Sequence, residues 1–291
     1  MPGLFIKEDV SGNMDEIGRR NEMDPVIERT IKSLERRFIK GWAASNGAEA
    51  QEIVARIVPQ DAVIGIGDSS SVRQIGVVDV LKVRGNRVIN AFDLSHEIKD
   101  LQTHFDYGFW PMLEATVCDV FLAGSNAITE DGKIVNVDGN GNRVAGMIWG
   151  HPISILIMGK NKIVKNLDEA MDRVKNVICP EHIRRKGARA PCTETGRCHD
   201  CLGETKVCAV TTIIERKTVH TEIHVVIVDE DLGLGWDRSW PEERITRIVT
   251  RHEEYMSLCP LPGCILEKGN NERLWEMARL KKAAMLRWNE E

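Results

Sequence analysis

Short apolar runs of the type found in buried strands alternate with helical patterns along most of this chain. The clearest run is Ala62–Ile66, which a loop of glycine and serine connects to a helical pattern over Val72–Leu81. Strands of parallel sheets read as continuous apolar runs because helices cover both faces of the sheet. The alternation therefore predicts an α/β fold, a Rossmann-like layered domain with a mostly parallel sheet.

Other segments extend this pattern in both directions. A helical pattern over Leu167–Val177 lies between two strand candidates, and apolar spacing predicts helix from residue 14 to residue 57, with a stop at Pro59. Five further runs have the length and composition of strands: Arg87–Ala91, Val117–Ala123, Lys133–Val137, Ile153–Met158 and Ile223–Asp229.

Length and composition favour one main domain with an extension at each end. A chain of 291 residues with 42% apolar residues can bury a large core. We predict a helical N-terminal arm over 1–33, an α/β domain over 34–235 with a cysteine-rich insertion at 179–208, and a helical C-terminal extension over 236–291. Apolar residues at helical spacing in that extension indicate packing against the domain or a second subunit, so a homo-oligomer is expected.

Charge and hydropathy limit the partners of the chain. The first residues lack the apolar core of a signal peptide, and no segment approaches the ~18 apolar residues of a membrane span. The net charge of -5 argues against a nucleic-acid-binding surface. We therefore predict a cytoplasmic protein that binds neither nucleic acid nor membrane. One basic run, His182–Arg189, has the composition of a solvated linker.

Four cysteines crowd into one short segment: Cys192, Cys198, Cys201 and Cys208, with His199 among them. In a reducing compartment, thiolates at this spacing favour zinc or an iron–sulfur cluster. The segment has one Cys-x-x-Cys pair where a zinc ribbon has two, so free thiols or a redox-active Cys198/Cys201 pair are the alternative. Three more cysteines are further candidate ligands: Cys179, Cys259 and Cys264.

The loop after the first strand candidate is a candidate ligand cradle. Free amides and the dipole at the start of a helix favour an anion, so phosphate or carboxylate is the expected ligand. Asp68 would oppose such a ligand unless it points away or acts as a base. A tight strand-to-helix turn requires glycine in any case, so a purely structural loop is the alternative. The candidate ligand-binding residues here are Gly65, Gly67, Asp68, Ser69, Ser70 and Ser71.

A second group of candidate ligand-binding residues follows the strand candidate that ends at Ala123. Gly124, Ser125 and Asn126 are expected at the carboxyl end of that strand, where ligands of open α/β sheets bind. Arg143 and Lys162 follow two further loops, and fixed cations near glycine loops suit an anionic substrate.

Two short Asp/Gly segments lie between these candidates. Asp131–Gly132 is predicted to form a hairpin turn, and Asp138–Gly141 is predicted to form another. Such turns account for the local richness in glycine and asparagine without any chemistry.

In their order along the chain, these motifs resemble the lactate-utilization (LUD) domain, from about Leu34 to Gly235. The ordered succession of motifs is more specific than any one of them. The segments that carry the resemblance are Asp61–Ser71 with Ile75–Gly76, Gly124–Asn136, Gly141–Ala145, Gly159–Val164, and Pro191–Cys201 followed by Asp231–Gly233.

The resemblance implies a fold like that of the NagB, ribose-5-phosphate isomerase and CoA-transferase superfamily. It also implies a link to the oxidation or utilization of lactate or a related small organic acid, in complexes whose companion subunits carry iron–sulfur clusters. It supplies no catalytic mechanism, since fold alone does not settle function. Sugar-phosphate isomerases of the wider superfamily carry an acid where this chain has Asn126, so isomerase chemistry is not expected.

Two functions of different classes remain open at this point. The first is a redox-linked metabolic protein that acts on a small organic acid, with the cysteine site relaying electrons or stabilising the fold. The second is a metabolite-binding or regulatory module for a phosphorylated or carboxylated molecule, with a structural zinc. Whether the chain is an enzyme is left open by the sequence.

Overall fold

The structure is a computed structural model of the chain, and it describes residues 23–92, 99–187, 189–203, 206, 208–256 and 271–288. Most of the predicted N-terminal arm, together with Cys259 and Cys264, lies outside the described residues. The first described helix crosses the predicted boundary between the arm and the α/β domain.

The described part of the chain forms two sheets with helices around them. Its strands are β1 Lys40–Ala44, β2 Ile64–Ile66, β3 Val88–Ile89, β4 Val120–Gly124, β5 Ala127–Thr129, β6 Ile134–Asp138, β7 Ile153–Gly159, β8 Ile163–Val164, β9 Val210–Ile214 and β10 Glu222–Val228. Its α-helices are α1 Pro25–Arg36, α2 Gly47–Ile57, α3 Ser70–Gln74, α4 Val77–Val83, α5 Leu101–His104, α6 Trp110–Ala115, α7 Asn142–Ile148, α8 Leu167–Arg173, α9 Cys179–Arg185, α10 Pro191–Thr195, α11 Glu242–Glu254 and α12 Asn271–Trp288.

The larger sheet has six strands in the order β1-β10-β7-β4-β2-β3, and its pairings are parallel. The α/β prediction is therefore confirmed, and the predicted strands lie where the apolar runs placed them. Because the strands are parallel, their carboxyl ends meet at one edge of the sheet. The loops after β2, β4, β7 and β10 consequently lie side by side.

Alternating side chains of the central strands build a core on each face of the sheet. In β7, Ile155 and Ile157 pack on one side with residues of α2, α3 and α4. Leu156 and Met158 pack on the other side with residues of α1 and α7. This alternation follows from the two-residue period of a strand and explains why β7 is apolar throughout.

The predicted continuous helix from residue 14 to residue 57 is wrong in its middle. Strand β1 lies between α1 and α2 and pairs with β10, with Trp42 beside Val226. The chain leaves α1 through Phe38, which has a left-handed φ of 59°. It then enters α2 at Asn46, whose side chain accepts a hydrogen bond from the Glu49 amide at 3.0 Å. Pairing with the sheet edge thus overrides the helical spacing.

The smaller sheet has the strand order β8-β5-β6-β9. The predicted hairpin at Asp131–Gly132 is present, because β5 and β6 are antiparallel with Ile128 opposite Ile134. The second predicted hairpin is wrong: Gly141, with a φ of 84°, leads into α7 instead of a neighbouring strand. Strand β6 pairs instead with the distant β9.

The C-terminal extension is helical, as predicted, in α11 and α12. Trp275 and Leu286 of α12 are exposed in the single chain, at 69% and 58% of their surface. No described helix combines the length and the apolar character that crossing a bilayer requires.

Gly65 of β2 lies very close to the backbone of Ala115. A methyl group added there would lie 2.2 Å from the carbonyl oxygen of Ala115. We expect Gly65→Ala to lower the free energy of unfolding by about 1–3 kcal/mol, the range for overpacked cores. Urea denaturation measures this change.

Gly47→Ala is the matched control. Its methyl group would meet Ile75 at 3.5 Å, an ordinary contact at the start of a helix. The free energy of unfolding should change by no more than about 1 kcal/mol. Equal effects of the two substitutions would contradict the packing argument.

Candidate functional site

A cavity of about 380 Å³ opens where the carboxyl ends of β2, β4 and β7 meet. Both groups of candidate ligand-binding residues contribute to its wall. Those that line it are Asp68, Ser69, Ser70, Ser71, Gly124, Ser125, Asn126, Arg143 and Lys162. The topology of the parallel sheet thus brings together residues that are nearly a hundred positions apart in the chain.

Gly65 and Gly67 are not among the residues that line the cavity. Gly65 lies within β2 against the backbone of Ala115, and Gly67 lies against the ring of Phe121. A methyl group at Gly67 would approach that ring to 2.9 Å. Both glycines therefore permit close packing behind the loop, which agrees with the structural alternative for these two positions.

The serine loop begins at the N-cap of α3. Ser69 accepts a hydrogen bond from the Val72 amide at 3.3 Å, and its hydroxyl also packs against Gly124. Asp68 pairs with Arg73 at 2.8 Å and lies 3.5 Å from Lys186. These two cations offset the negative charge with which Asp68 would oppose an anion.

Arg143 lines the cavity, but its hydrogen bonds go to the protein. Its Nη1 donates to the Gly124 carbonyl at 3.0 Å and to Asn136 Oδ1 at 2.9 Å. Its Nη2 donates to Asn126 Oδ1 at 3.2 Å and to the Val137 carbonyl at 2.7 Å. Four of the five guanidinium donors are thereby occupied. Arg143 fixes the loops and adds positive charge, which differs from the direct anion contact that the sequence predicted.

Ser125 and Asn126 belong to the same polar scaffold. The Ser125 hydroxyl lies 3.1 Å from Asn136 Oδ1, and Asn126 Oδ1 accepts from the Val137 amide at 2.8 Å. These contacts hold the end of β4 against β6. The two side chains therefore shape the cavity wall by holding β4 and β6 together.

Lys162 lines the cavity and, among the described residues, its ammonium has no carboxylate partner. It ends a short turn after β7, and only 3% of its surface is exposed. Within the described residues, no carboxylate pairs with its ammonium and no hydrogen bond forms from Nζ. Burial, with Arg173 and Arg143 nearby, lowers the pKa of Lys162 to about 7. The amine is therefore divided between its charged and neutral forms near neutral pH.

Two histidines that sequence reasoning missed, the half-buried His182 and the buried His252, form a wall of the cavity. Burial, together with Lys186, lowers the pKa of His182 to about 4. Burial, together with His182, lowers the pKa of His252 to about 3, and its Nδ1 lies 2.9 Å from Ser70 Oγ. Both rings are therefore neutral at physiological pH. The sequence placed His182 in a basic run of linker type, and nothing near His252 in the chain signals its contact with Ser70.

The cysteine segment borders the same cavity. Cys179 and Cys208 line it, and burial raises the pKa of the Cys179 thiol to about 12, with Cys208, Cys192 and Cys198 adding to the effect. These thiols therefore lie in the same region of the fold. His199 points elsewhere, since its Nε2 lies 2.7 Å from Thr195 Oγ1.

The thiols are chemically suited to zinc or to an iron–sulfur cluster. Within the described part of the chain, however, no group of three or more His, Cys, Asp or Glu side chains is arranged to hold a metal ion. The described thiols are not gathered around one point, and we derive no chemical step through a metal. Cys192, Cys198, Cys201 and Cys208 remain predicted ligands.

Comparison with known proteins decides the family. The family model of the LUD domain matches residues 27–228. The chain belongs to the LUD domain family. This family is linked to lactate utilization in general. The resemblance noted from the motifs is thereby confirmed, and the matched range holds the loops after β2, β4 and β7.

Among solved structures, this LUD domain chain is similar to a DUF162 family protein from Deinococcus radiodurans. The two share 12% sequence identity with a TM-score of 0.41, and the match covers 70% of this chain and 96% of the other. No curated protein matches this chain.

The buried Lys162 predicts a pH dependence of stability. Its pKa is lowered from 10.5 to about 7 on folding, so between these values the unfolded chain binds more protons at this side chain than the folded chain does. The free energy of unfolding must therefore rise with pH in this window. Below the window, the full cost of burying the charged amine lowers the stability of the folded chain. The free energy of unfolding of the wild type, relative to Lys162→Met, should rise by up to about 1.4 kcal/mol per pH unit.

Urea denaturation of both proteins at pH 7 to 10 measures this difference. Lys165→Met is the control, because Lys165 is exposed and its substitution should give a difference that does not change with pH. A flat difference for Lys162→Met as well would show that its amine is not desolvated.

Proposed function

We propose that the cavity binds the anion of a small organic acid, and that the chain contributes to lactate utilization through this binding. The observation that carries the proposal is Lys162, a buried ammonium that faces the cavity and pairs with no described carboxylate. A buried charge without a partner is unfavourable. A carboxylate from a ligand supplies the missing partner.

Hydroxyl groups next to Lys162 support a carboxylate in this position. A methyl group built on Gly233 would lie 2.9 Å from Ser71 Oγ, 3.2 Å from Ser70 Oγ and 3.4 Å from Lys162 Nζ. The three polar atoms therefore cluster next to Gly233, and the side chains of Ser70, Ser71 and Lys162 all line the cavity. A carboxylate in the cavity next to this cluster would accept hydrogen bonds from the hydroxyls and a charge-assisted bond from the ammonium.

The charges around the cavity favour an anionic ligand. Asp68 and Asp138 both line the wall, and each contacts cations, Arg73 and Lys186 for Asp68 and Arg143 for Asp138. Lys162 is a further cation of the wall that pairs with no carboxylate among the described residues, so the wall carries surplus positive charge. The size of about 380 Å³ is near the lower end of ligand pockets and suits a small metabolite.

A thermal-shift titration tests the proposal. Lactate and pyruvate should raise the melting temperature of the wild type, because a ligand that binds only the folded state stabilises it, by about 2.7 kcal/mol at roughly a hundredfold excess over Kd. Lys162→Met should lose this response, since the ammonium that attracts the carboxylate is gone.

Lys165→Met is again the matched control and should respond like the wild type. Ribose 5-phosphate serves as the competing ligand class. A larger shift with the sugar phosphate than with any carboxylate would favour the metabolite-binding module over a function in organic-acid utilization. No shift with any carboxylate would overturn the proposal.

We propose in addition that the cysteine segment binds zinc or an iron–sulfur cluster. The electrostatic effects of Cys192, Cys198 and Cys208 on the pKa of Cys179 support this proposal, because they show that the four thiols lie in one region of the fold, from which a metal would draw its ligands together. We also propose that companion subunits carry iron–sulfur clusters and that the chain associates with copies of itself.

Elemental analysis after oxygen-free purification tests the metal proposal. A cluster would colour the protein brown with absorption at about 400 nm, and zinc would leave it colourless. Substitution of Cys198 and Cys201 by serine should remove the metal, because thiolates are its expected ligands. Cys118→Ala should retain the metal. Cys118 is buried in the core, where its thiol is within hydrogen-bond distance of the carbonyl oxygens of Ala115 and Val120. A wild-type protein free of metal would contradict this proposal.

A further inference from the structure

The environment of Lys162 is that of a reactive amine as well as of a cation. Its side chain is 3% exposed, and Nζ makes no hydrogen bond or ion pair within the described chain. Burial comes first among the causes that lower its pKa to about 7, followed by the charges of Arg173 and Arg143. Desolvation and neighbouring cations are the two means by which proteins keep a lysine amine neutral and nucleophilic.

The position of Lys162 is fixed by its neighbours. Asn161 donates to the Gly235 carbonyl at 2.9 Å and accepts from the Leu232 amide at 2.9 Å. Arg173 Nη1 donates to the Asn161 carbonyl at 3.0 Å. The turn that carries Lys162 is therefore tied to the loop after β10, and the amine is held at the cavity by rigid contacts.

A route for proton transfer starts beside the amine. Ser70 Oγ and Lys162 Nζ both lie within 3.4 Å of the position of a methyl group on Gly233. Ser70 shares a hydrogen bond of 2.9 Å with His252 Nδ1. The His252 ring stays neutral, so it orients the Ser70 hydroxyl, and the hydroxyl passes the proton.

We propose that Lys162 is a catalytic amine that forms an imine with the carbonyl carbon of a 2-oxo acid. The inference rests on the proposed function: the ammonium form of Lys162 attracts the carboxylate to the anion site beside Ser70 and Ser71, and the amine reacts with the neighbouring carbonyl group once it has lost its proton to solvent. A 2-oxo acid is also the product of oxidising a 2-hydroxy acid, which places it within organic-acid utilization.

The step is balanced without an oxidant or a reductant. The lone pair of the neutral Nζ attacks the carbonyl carbon, and a carbon–nitrogen bond forms. The carbonyl oxygen takes up the two hydrogens that the nitrogen loses and leaves as water. Ser70, backed by His252, relays a proton between the nitrogen and the departing oxygen.

The imine gives the site a defined chemical use. An imine withdraws electrons from the bonds next to its carbon, so it promotes removal of a proton from the neighbouring carbon of the acid. A 2-hydroxy acid has no carbonyl group and cannot form this bond. The site therefore distinguishes lactate, which binds through its carboxylate alone, from pyruvate, which binds and reacts.

Reductive trapping tests the inference. The full chain is incubated with pyruvate and cyanoborohydride, and its intact mass is then measured. We expect one reduced pyruvate adduct, which peptide mapping places on Lys162. Lactate in place of pyruvate should give no adduct.

Three variants define the result. Lys162→Arg keeps the positive charge but has no amine that forms an imine under these conditions, so it should lose the adduct while retaining a thermal shift with pyruvate. Lys162→Met, which has a similar length without charge, should lose both and covers the case in which arginine does not fit. Lys165→Arg should keep the adduct at Lys162.

The outcomes separate this inference from the proposed function. If pyruvate raises the melting temperature of the wild type but leaves Lys162 unmodified, or if surface lysines react equally, the imine is overturned and anion binding stands. If pyruvate neither shifts the melting temperature nor forms an adduct, while lactate still binds, the 2-oxo acid is rejected. If no acid binds, both the inference and the proposed function fail.

Discussion

The hydrogen bonds of Arg143 hold the site together. This one guanidinium joins the Gly124 carbonyl at the end of β4 to Asn136 and the Val137 carbonyl in β6. The end of the larger sheet is therefore joined to the smaller sheet through the largely buried guanidinium of Arg143. With Arg143 occupied in this way, the charge that a ligand meets directly is that of Lys162, and the serine loop after β2 completes the contacts.

Burial of Lys162 opposes folding and favours binding for the same physical reason. An ammonium removed from water raises the free energy of the folded chain unless an anion accompanies it. The lowered pKa of Lys162 expresses this penalty, and a carboxylate ligand would relieve it. The apolar cores on the two faces of β7 stabilise the fold, and this stability offsets the cost of burying the Lys162 amine.

The sequence predicts the layered fold well, and it places the loops that line the cavity, because both depend on local patterns. Apolar runs of strand length located the central strands, and the rule that carboxyl ends share an edge brought Ser69, Asn126 and Lys162 together. What could not be predicted depends on distant contacts. Strand β1 forms because β10 pairs with it, and His252 reaches Ser70 across 182 positions of the chain. The role of Arg143 as a structural donor required knowledge of which acceptors surround it. The cysteines show a related limit, since their spacing gives the chemistry of the donors but not their geometry.

The wall that carries His252 belongs to α11, which begins after residue 228, where the match to the LUD domain ends. The matched range thus supplies the sheet, the loops and Lys162, whereas α11 lies beyond it and covers one side of the cavity. A substitution at His252 would therefore reshape the cavity wall while the packed interior of the sheet keeps its contacts.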